Sequence, residues 1–360
     1  MDVAELLRYA VERGASDLHL SAGNVPFIRV DGEMLPAAFP ALDGSDTESA
    51  ADFLTPPHKA EEFATTNEAD FAYSLDGSGR FRVNVLRQRG TVALAIRRVS
   101  SEGQTFAELQ LPPVVQSFAE ARRGLALVTG PTGSGKTTTI ASMIGFINRT
   151  RRAHIVTIED PIEVIHTDDM SVIWQREIGP DTASYAVGLR QVLRQDPDVI
   201  FLGEIRDADS ALAAIQAAQT GHLVLSTMHT IDATETIARI VELFPQQQQQ
   251  GQVRASLAGA LRGIVSQRLL ERIDGLGRIP AVEVLINTGR VSERILDPET
   301  TGDLPEIIAD SDFDGMQMFD QALMKLVQGG LVAEEDARAV ATNPHDLSLA
   351  LRGAMAREGA

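Results

Sequence analysis

Eight consecutive residues, Gly130-Pro131-Thr132-Gly133-Ser134-Gly135-Lys136-Thr137, carry the spacing Gly-x-x-x-x-Gly-Lys-Thr. They follow a continuous apolar run, Leu125 to Thr129, and precede a helical pattern, which is the setting a phosphate-binding loop requires. Glycines let successive backbone N–H groups converge on one point, and the helix that follows aims its positive end at the same point. Lys136 is expected to reach β- and γ-phosphates and Thr137 to ligate Mg²⁺, with Thr138 completing the cofactor-binding set. Only three of the 32 basic residues are lysines, namely Lys59, Lys136 and Lys325. A chain that strongly prefers Arg has kept Lys where a slim point charge fits and a planar fork does not.

A phosphate loop hydrolyses nothing alone, so Mg²⁺ and an attacking water must find carboxylates. Two strand ends offer them. Ile155 to Ile158 runs into Glu159, Asp160 and, past Pro161, Glu163. Asp198 to Leu202 runs into Gly203-Glu204, a Walker B position with Gly where Asp is usual. Glu204 and Glu163 are the candidates for holding Mg²⁺, directly or through water, and for orienting the nucleophile. Either could be the general base, because two acids sharing waters titrate as a pair. Glu159 and Asp160 read better as structural acids of the strand-to-loop turn. His222 and His229 bracket the strand from Leu223 to Thr227 and so cannot chelate together. His229, beside Thr227 and Thr230, is placed to sense a γ-phosphate or a neighbouring subunit. His19 alternates onto one strand face with Asp17 and reads as a packed sheet residue.

These groups need a scaffold. Strands near 125–129, 154–158, 198–202 and 222–227, alternating with helices near 136–148, 183–195 and 207–219, predict an α/β domain whose mostly parallel sheet presents ligands at its strand C-termini. Upstream, a helix over 2–14 ends at Gly14. Alternating segments at 18–20, 26–30, 71–75, 80–87 and 92–98 then predict a smaller α+β domain on an antiparallel sheet. After 251 the pattern reads as mainly helical, with Leu257, Leu261, Ile264, Val265, Arg268 and Leu269 on one face of a long helix, and the run Gln246 to Gln250 as its solvated entry. The expected boundaries are 1–99 for the first domain, a linker at 100–110 that includes the polar stretch to 105, 111–285 for the catalytic domain and 286–360 for a helical C-terminal region.

Composition narrows the classes. At 360 residues the chain suits two or three domains. No run approaches 18 apolar residues, and the opening Met1-Asp2-Val3-Ala4-Glu5 lacks the basic segment of a secretion signal. The absence of cysteine excludes disulfides and thiolate metal sites. A net charge of −18 argues against nonspecific attraction to nucleic acid or anionic lipid, so any membrane contact is expected through protein partners.

Together the motifs resemble those of the secretion ATPases that drive type IV pili and type II secretion, and within them the retraction ATPases of PilT type. The resemblance rests on Gly14-Ala15-Ser16-Asp17-Leu18-His19-Leu20-Ser21, the 130–137 loop, an Asp box from Thr157 to Glu163, Gly203-Glu204, and a His box from Gly221-His222 to His229-Thr230. It implies a PAS-like N-terminal domain, a RecA-like P-loop ATPase domain and a cytoplasmic homohexamer at the inner-membrane face. The work implied is ATP- and Mg²⁺-driven pilus retraction (twitching motility) against a platform protein, with a paralogous pilus ATPase as a further partner. Glu204 and Glu163 would serve Mg²⁺ and water, and His229 would act as sensor. The family also supplies N-terminal arginines to the nucleotide, for which Arg80, Arg82, Arg97 and Arg98 are the candidates. Arg82 with Asn84 and Leu86 reads equally as one solvated sheet face. The lack of an extra N-terminal domain and of a tetracysteine module favours retraction over extension or type II secretion. The family's Ala-Ile-Arg segment is not matched by Thr288-Gly289-Arg290-Val291-Ser292-Glu293-Arg294-Ile295, a departure that touches direction of work and not hydrolysis. A non-hydrolysing, nucleotide-gated scaffold is the alternative of a different class.

Overall fold

The computed structural model describes residues 2–30, 32–99 and 103–358, with side chains to 353. Two compact units emerge, one formed by Met1–Glu102 with Pro161–Ile165, the other by Gly103–Asp160 with His166–Ala360.

The first unit is an antiparallel sheet packed against helices. Its strands are β1 (Asp17–Ser21), β2 (Phe27–Val30), β3 (Glu33–Pro36), β4 (Glu68–Leu75), β5 (Gly79–Gln88) and β6 (Thr91–Arg98), in the order β3-β2-β1-β6-β5-β4. Alternation decides which face is buried. Leu18, Leu20, Val83, Val85, Leu94 and Ile96 turn inward, onto Leu6 and Leu7 of α1 (Val3–Glu12) and Ala50 and Leu54 of α2 (Gly44–Leu54). Asp2 caps α1 by accepting from the N–H of Ala4 at 2.8 Å. A third helix, α3 (Pro57–Thr66), precedes β4.

The second unit holds a seven-stranded mixed sheet. Its strands are β7 (Gly124–Thr129), β8 (His154–Glu159), β9 (Val172–Glu177), β10 (Val199–Leu202), β11 (Leu223–Met228), β12 (Leu261–Glu271) and β13 (Arg278–Ile286), ordered β13-β12-β7-β11-β10-β8-β9. All neighbours are parallel except the β12–β13 pair. The central strands are buried on both faces, so each reads as an unbroken apolar run. Leu125 and Leu127 enter one core with α6 (Tyr185–Val192), α7 (Ala208–Gln219), α8 (Ala233–Glu242) and α9 (Gln247–Ala260). Ala126 and Val128 enter another with α4 (Pro113–Glu120) and α5 (Lys136–Thr150). Helices α10 (Gly289–Leu296), α11 (Leu304–Asp310), α12 (Phe319–Gln328), α13 (Glu334–Val340) and α14 (Pro344–Glu358) follow the sheet.

Two expectations fail. The long helix ends at Ala260, and Leu261, Ile264, Val265, Arg268 and Leu269 lie on strand β12. That strand is covered on both faces, with Ile264 in one core and Val265 in another, and such a run contains helix-spaced residues by default. The linker expected at 100–110 is also too long. Phe106 packs in the core of the second unit with Ile140 and Ile144 of α5, so 103–110 belongs there, while Ser100, Ser101 and Glu102 lie outside the described residues. Among the described residues no helix is long and apolar enough to cross a membrane.

Candidate active site

The phosphate loop leaves β7 at its C-terminal end and enters α5, and its curl depends on Gly130. That residue has φ of +141°, and a Cβ there would stand 2.4 Å from the carbonyl oxygen of Gln267 and 2.5 Å from Ser134 Oγ. No side chain fits the turn. Lys136 folds back over the loop, its Nζ donating to the carbonyl oxygens of Gly130 at 2.8 Å and Pro131 at 3.0 Å. The ammonium is thereby centred where polyphosphate charge has to be matched. Ser134 Oγ is buried without a hydrogen-bond partner in the protein. An orphaned hydroxyl inside a cradle that a Cβ would fill fits a phosphate oxygen as its missing partner. Thr137 and Thr138 stand in the first turn of α5, both half-buried, beside the exposed Pro131, Thr132 and Gly133.

The second component comes from neighbouring strand ends. Glu204 follows β10, and His229 follows β11, its parallel neighbour. Arg206 Nε donates to Glu204 Oε2 at 2.7 Å, and His229 Nε2 lies 3.4 Å from Glu204 Oε1. The carboxylate is thus held at both oxygens while its side chain keeps 16% exposure. Arg206 also lies 3.9 Å from Asp160, and its guanidinium covers the Tyr185 ring at 5.9 Å. Burial, with Asp160 adding to it, pushes the Tyr185 hydroxyl well above the ordinary tyrosine value, so it stays protonated. Below, Thr227 Oγ1 donates to the Gly203 carbonyl at 2.6 Å and fixes the turn that presents Glu204. A Cβ on Gly203 would meet Tyr185 Oη at 3.0 Å and the Ile158 carbonyl oxygen at 3.1 Å. A side chain at 203 would thus press on Tyr185 and on the Ile158 carbonyl, which would have to give by a few tenths of an ångström.

The remaining sequence candidates separate. Glu159 is buried, its Oε1 accepting from Thr157 Oγ1 at 2.7 Å and Gln175 Nε2 at 3.0 Å. Asp160 faces Arg206. Glu163 is exposed and falls with Pro161–Ile165 in the first unit. His222 Nδ1 lies 3.0 Å from the Ala217 carbonyl oxygen, a local contact at the opposite end of β11 from His229. In the first unit, Arg82 and Arg97 occupy directly paired positions on β5 and β6. Arg97 Nε binds Asp17 Oδ1 at 2.8 Å and Arg82 Nε stands 3.7 Å from Asp70. Burial alone would raise the Asp17 carboxyl, but the Arg97 hydrogen bond and charge, with Ser16, hold it below its usual value. Arg80 donates to Ser74 Oγ, and Arg98, opposite Phe81, lies on the other face and is exposed. His19 lies opposite Phe27 and Ala95.

Sequence reasoning assigned no role to Arg206, Tyr185 or Glu283. The only signal for Arg206 is its position two residues after Glu204. Glu283 on β13 is buried and accepts at 2.8 Å from the N–H of Ala233, the first residue of the helix after His229. Burial pushes its carboxyl up to about 7, with Asp232 and Asp320 adding to the rise and Arg268 and the Ala233 N–H opposing it. An acid raised in the folded state stabilises the fold fully below its unfolded value near 4.5, and the benefit is lost as pH climbs through about 7. Glu283→Gln keeps an acceptor for Ala233 without the charge. It is expected to melt higher than wild type at pH 8, by roughly 1–3 kcal/mol of stability, with the gap narrowing toward pH 5. Equal melting differences at both pH values would refute the assignment.

A parallel-rich mixed sheet with a phosphate loop after an interior strand and a Glu at the end of the next strand but one defines a RecA-like P-loop ATPase. The profile described as type II/IV secretion system protein matches residues 2–283. The chain is 39% identical over 346 residues to the type IV pilus retractation ATPase PilT of Pseudomonas aeruginosa, covering 96% of this chain and 100% of that protein. It is also 39% identical over 352 residues to the type IV pilus ATPase PilU of the same organism, covering 98% and 92%. A crystal structure of the pilus retraction motor PilT with bound ADP superposes with a TM-score of 0.87 at 44% identity, over 97% of this chain and 99% of that one. The chain belongs to the type II/IV secretion system protein family.

Proposed function

We propose that the chain is a homohexameric, Mg²⁺-dependent ATPase motor that powers retraction of type IV pili. It would work in the cytoplasm at the face of the inner membrane, against a platform protein, and beside a paralogous pilus ATPase where one is present. The observation that carries this reading is the pairing of a complete phosphate loop with the Glu204–Arg206–His229 cluster on adjacent parallel strands. End-to-end similarity to a retraction ATPase supports the direction of work.

ATP supplies the bond to be broken, and Mg²⁺ when bound neutralises the phosphates. Lys136 balances the negative charge that remains. Thr137 contributes a hydroxyl ligand to the ion, and Glu204 reaches it directly or through water. Glu204, held at both oxygens, orients or deprotonates the attacking water, and His229 reports on the same carboxylate. Glu163 and the arginines Arg80, Arg82, Arg97 and Arg98 belong to the first unit. They are taken to complete the site in the assembled ring, where charge-assisted contacts to the transferring phosphoryl group carry large rate factors. The first unit is read as PAS-like, with domains at 1–99, 111–285 and 286–360 amended by the placement of 103–110. Neither nucleic acid nor bare lipid is a partner in this reading.

Deletion of the gene in its host tests the direction. Loss of twitching with accumulation of surface pili is the expected phenotype. Cells without pili would reassign the motor to extension, and a secretion defect alone would reassign it to type II secretion.

A further inference from the structure

We propose that Glu283 is a positioning residue for ATP hydrolysis. Its buried carboxyl group anchors the turn that carries His229 to the β12–β13 hairpin, and so sets where His229 stands against Glu204. The inference rests on the ATPase reading above and deepens it.

The need for an anchor follows from where the strand pairing stops. β11 pairs with β7 as far as Met228, opposite Thr129. His229 lies one residue past that pair, in the turn 229–232 that leads into α8. Its side chain is 50% exposed. Packing therefore does little to fix it, and its place 3.4 Å from Glu204 is set by the backbone of the turn.

Most bonds of the turn join the segment to itself. Thr236 Oγ1 donates to the Asp232 carbonyl oxygen at 2.6 Å and lies 2.6 Å from Thr230 Oγ1. The N–H of Ile231 donates to Glu235 at 2.8 Å, and Asp232 accepts from the Glu235 N–H at 2.7 Å. Such bonds hold a shape without fixing its location. The bond from the Ala233 N–H to Glu283 Oε1, at 2.8 Å, reaches a strand 50 residues away.

That bond is built to last. Ala233 is the first residue of α8, where an N–H has no partner within the helix, and both Ala233 and Glu283 are buried. Neither group can turn to water instead, so parting them is costly. Glu283 is itself held in register, directly opposite Ser266 on β12. Ser266 Oγ accepts from Thr129 Oγ1 at 2.9 Å, and Thr129 is the residue before Gly130. The hairpin thus grips the root of the phosphate loop and the start of α8 together. What the Ala233 N–H requires is an acceptor at full reach; charge is secondary. Without it α8 and the turn can shift, and small errors of placement are expensive where a water must be aligned.

Glu283→Ala would strand the buried N–H and threaten the fold, so the test uses Glu283→Asp, which keeps the acid one carbon short, and Glu283→Gln. Steady-state ATP turnover is measured on full-length wild type, both variants, His229→Ala and the Glu283→Asp/His229→Ala double variant. Glu283→Asp is expected to lower kcat about 5- to 10-fold, with KM for ATP within about 2-fold of wild type. Glu283→Gln should restore wild-type kcat. In the His229→Ala background, Glu283→Asp is expected to cost less than about 2-fold more, because the anchor acts through His229. The proposal is overturned by wild-type kcat in Glu283→Asp, by an equal loss in Glu283→Gln, by a rise in KM in place of the fall in kcat, or by fully additive losses. A wild type without turnover, or His229→Ala with wild-type turnover, would remove the reading of the site and the proposal with it. That failure is told apart because it shows in proteins whose Glu283 is intact.

Discussion

Lys136→Ala is expected to lower nucleotide affinity at least about 100-fold and to bring ATP turnover to background. The Nζ of Lys136 donates to the Gly130 and Pro131 carbonyl oxygens, both on the rim of the loop. The alanine substitution gives up these bonds, which are local to the loop. It also removes the one full positive charge that the loop carries. Lys136→Arg is expected to fail almost as badly, because a planar fork cannot occupy the gap between two adjacent carbonyls as a single nitrogen does. Isothermal titration with ATP and a steady-state phosphate-release assay measure the two effects separately. An alanine variant that keeps wild-type turnover would sink the assignment of the loop as the catalytic phosphate site.

The second large effect is expected at Glu204. Glu204→Gln should cut turnover by about 100-fold or more while ATP binding persists, since general-base and water-orienting groups contribute in that range. The substitution is nearly isosteric, and an amide oxygen can still accept from Arg206, so local geometry is conserved. What disappears is the negative charge that draws Mg²⁺ and the proton of the attacking water. His229 lies 3.4 Å from the same carboxylate, so His229→Ala is expected to lower turnover less than Glu204→Gln and in a non-additive way. Full activity in Glu204→Gln would move the base to Glu163. A wild type that binds ATP without turnover at any protein concentration would instead favour a nucleotide-gated scaffold.

The parts of the fold that were legible share a physical cause. Central parallel strands are apolar on both faces, so Leu125 to Thr129 and Val199 to Leu202 stand out as runs bounded by loop chemistry. In the first unit one face is wet, and Arg82, Asn84 and Leu86 alternate with Phe81, Val83 and Val85. Strand β12 escaped because double burial erases the period that separates strand from helix. Strand β9 escaped for the opposite reason: it is the sheet edge, with Val172 and Trp174 outward and Gln175 and Arg176 polar. The loop chemistry was local and could be read directly. The contacts of Glu204 with His229 could not, since they depend on β10 and β11 being parallel neighbours. Tyr185 was hidden for the same reason, although its hydroxyl crowds position 203.

Thr129, Ser266 and Glu283 sit in one buried row across β7, β12 and β13. Thr129 and Ser266 join hydroxyl to hydroxyl at 2.9 Å, and Glu283 receives the first N–H of the helix after His229. Apolar strands alone tolerate sliding, because one greasy pair resembles the next. A one-residue slip of the hairpin would turn Ser266 and Glu283 to the wrong face and strand each of them. The row therefore acts as a registration key, spending stability to admit a single alignment of the hairpin with the strand that carries the loop.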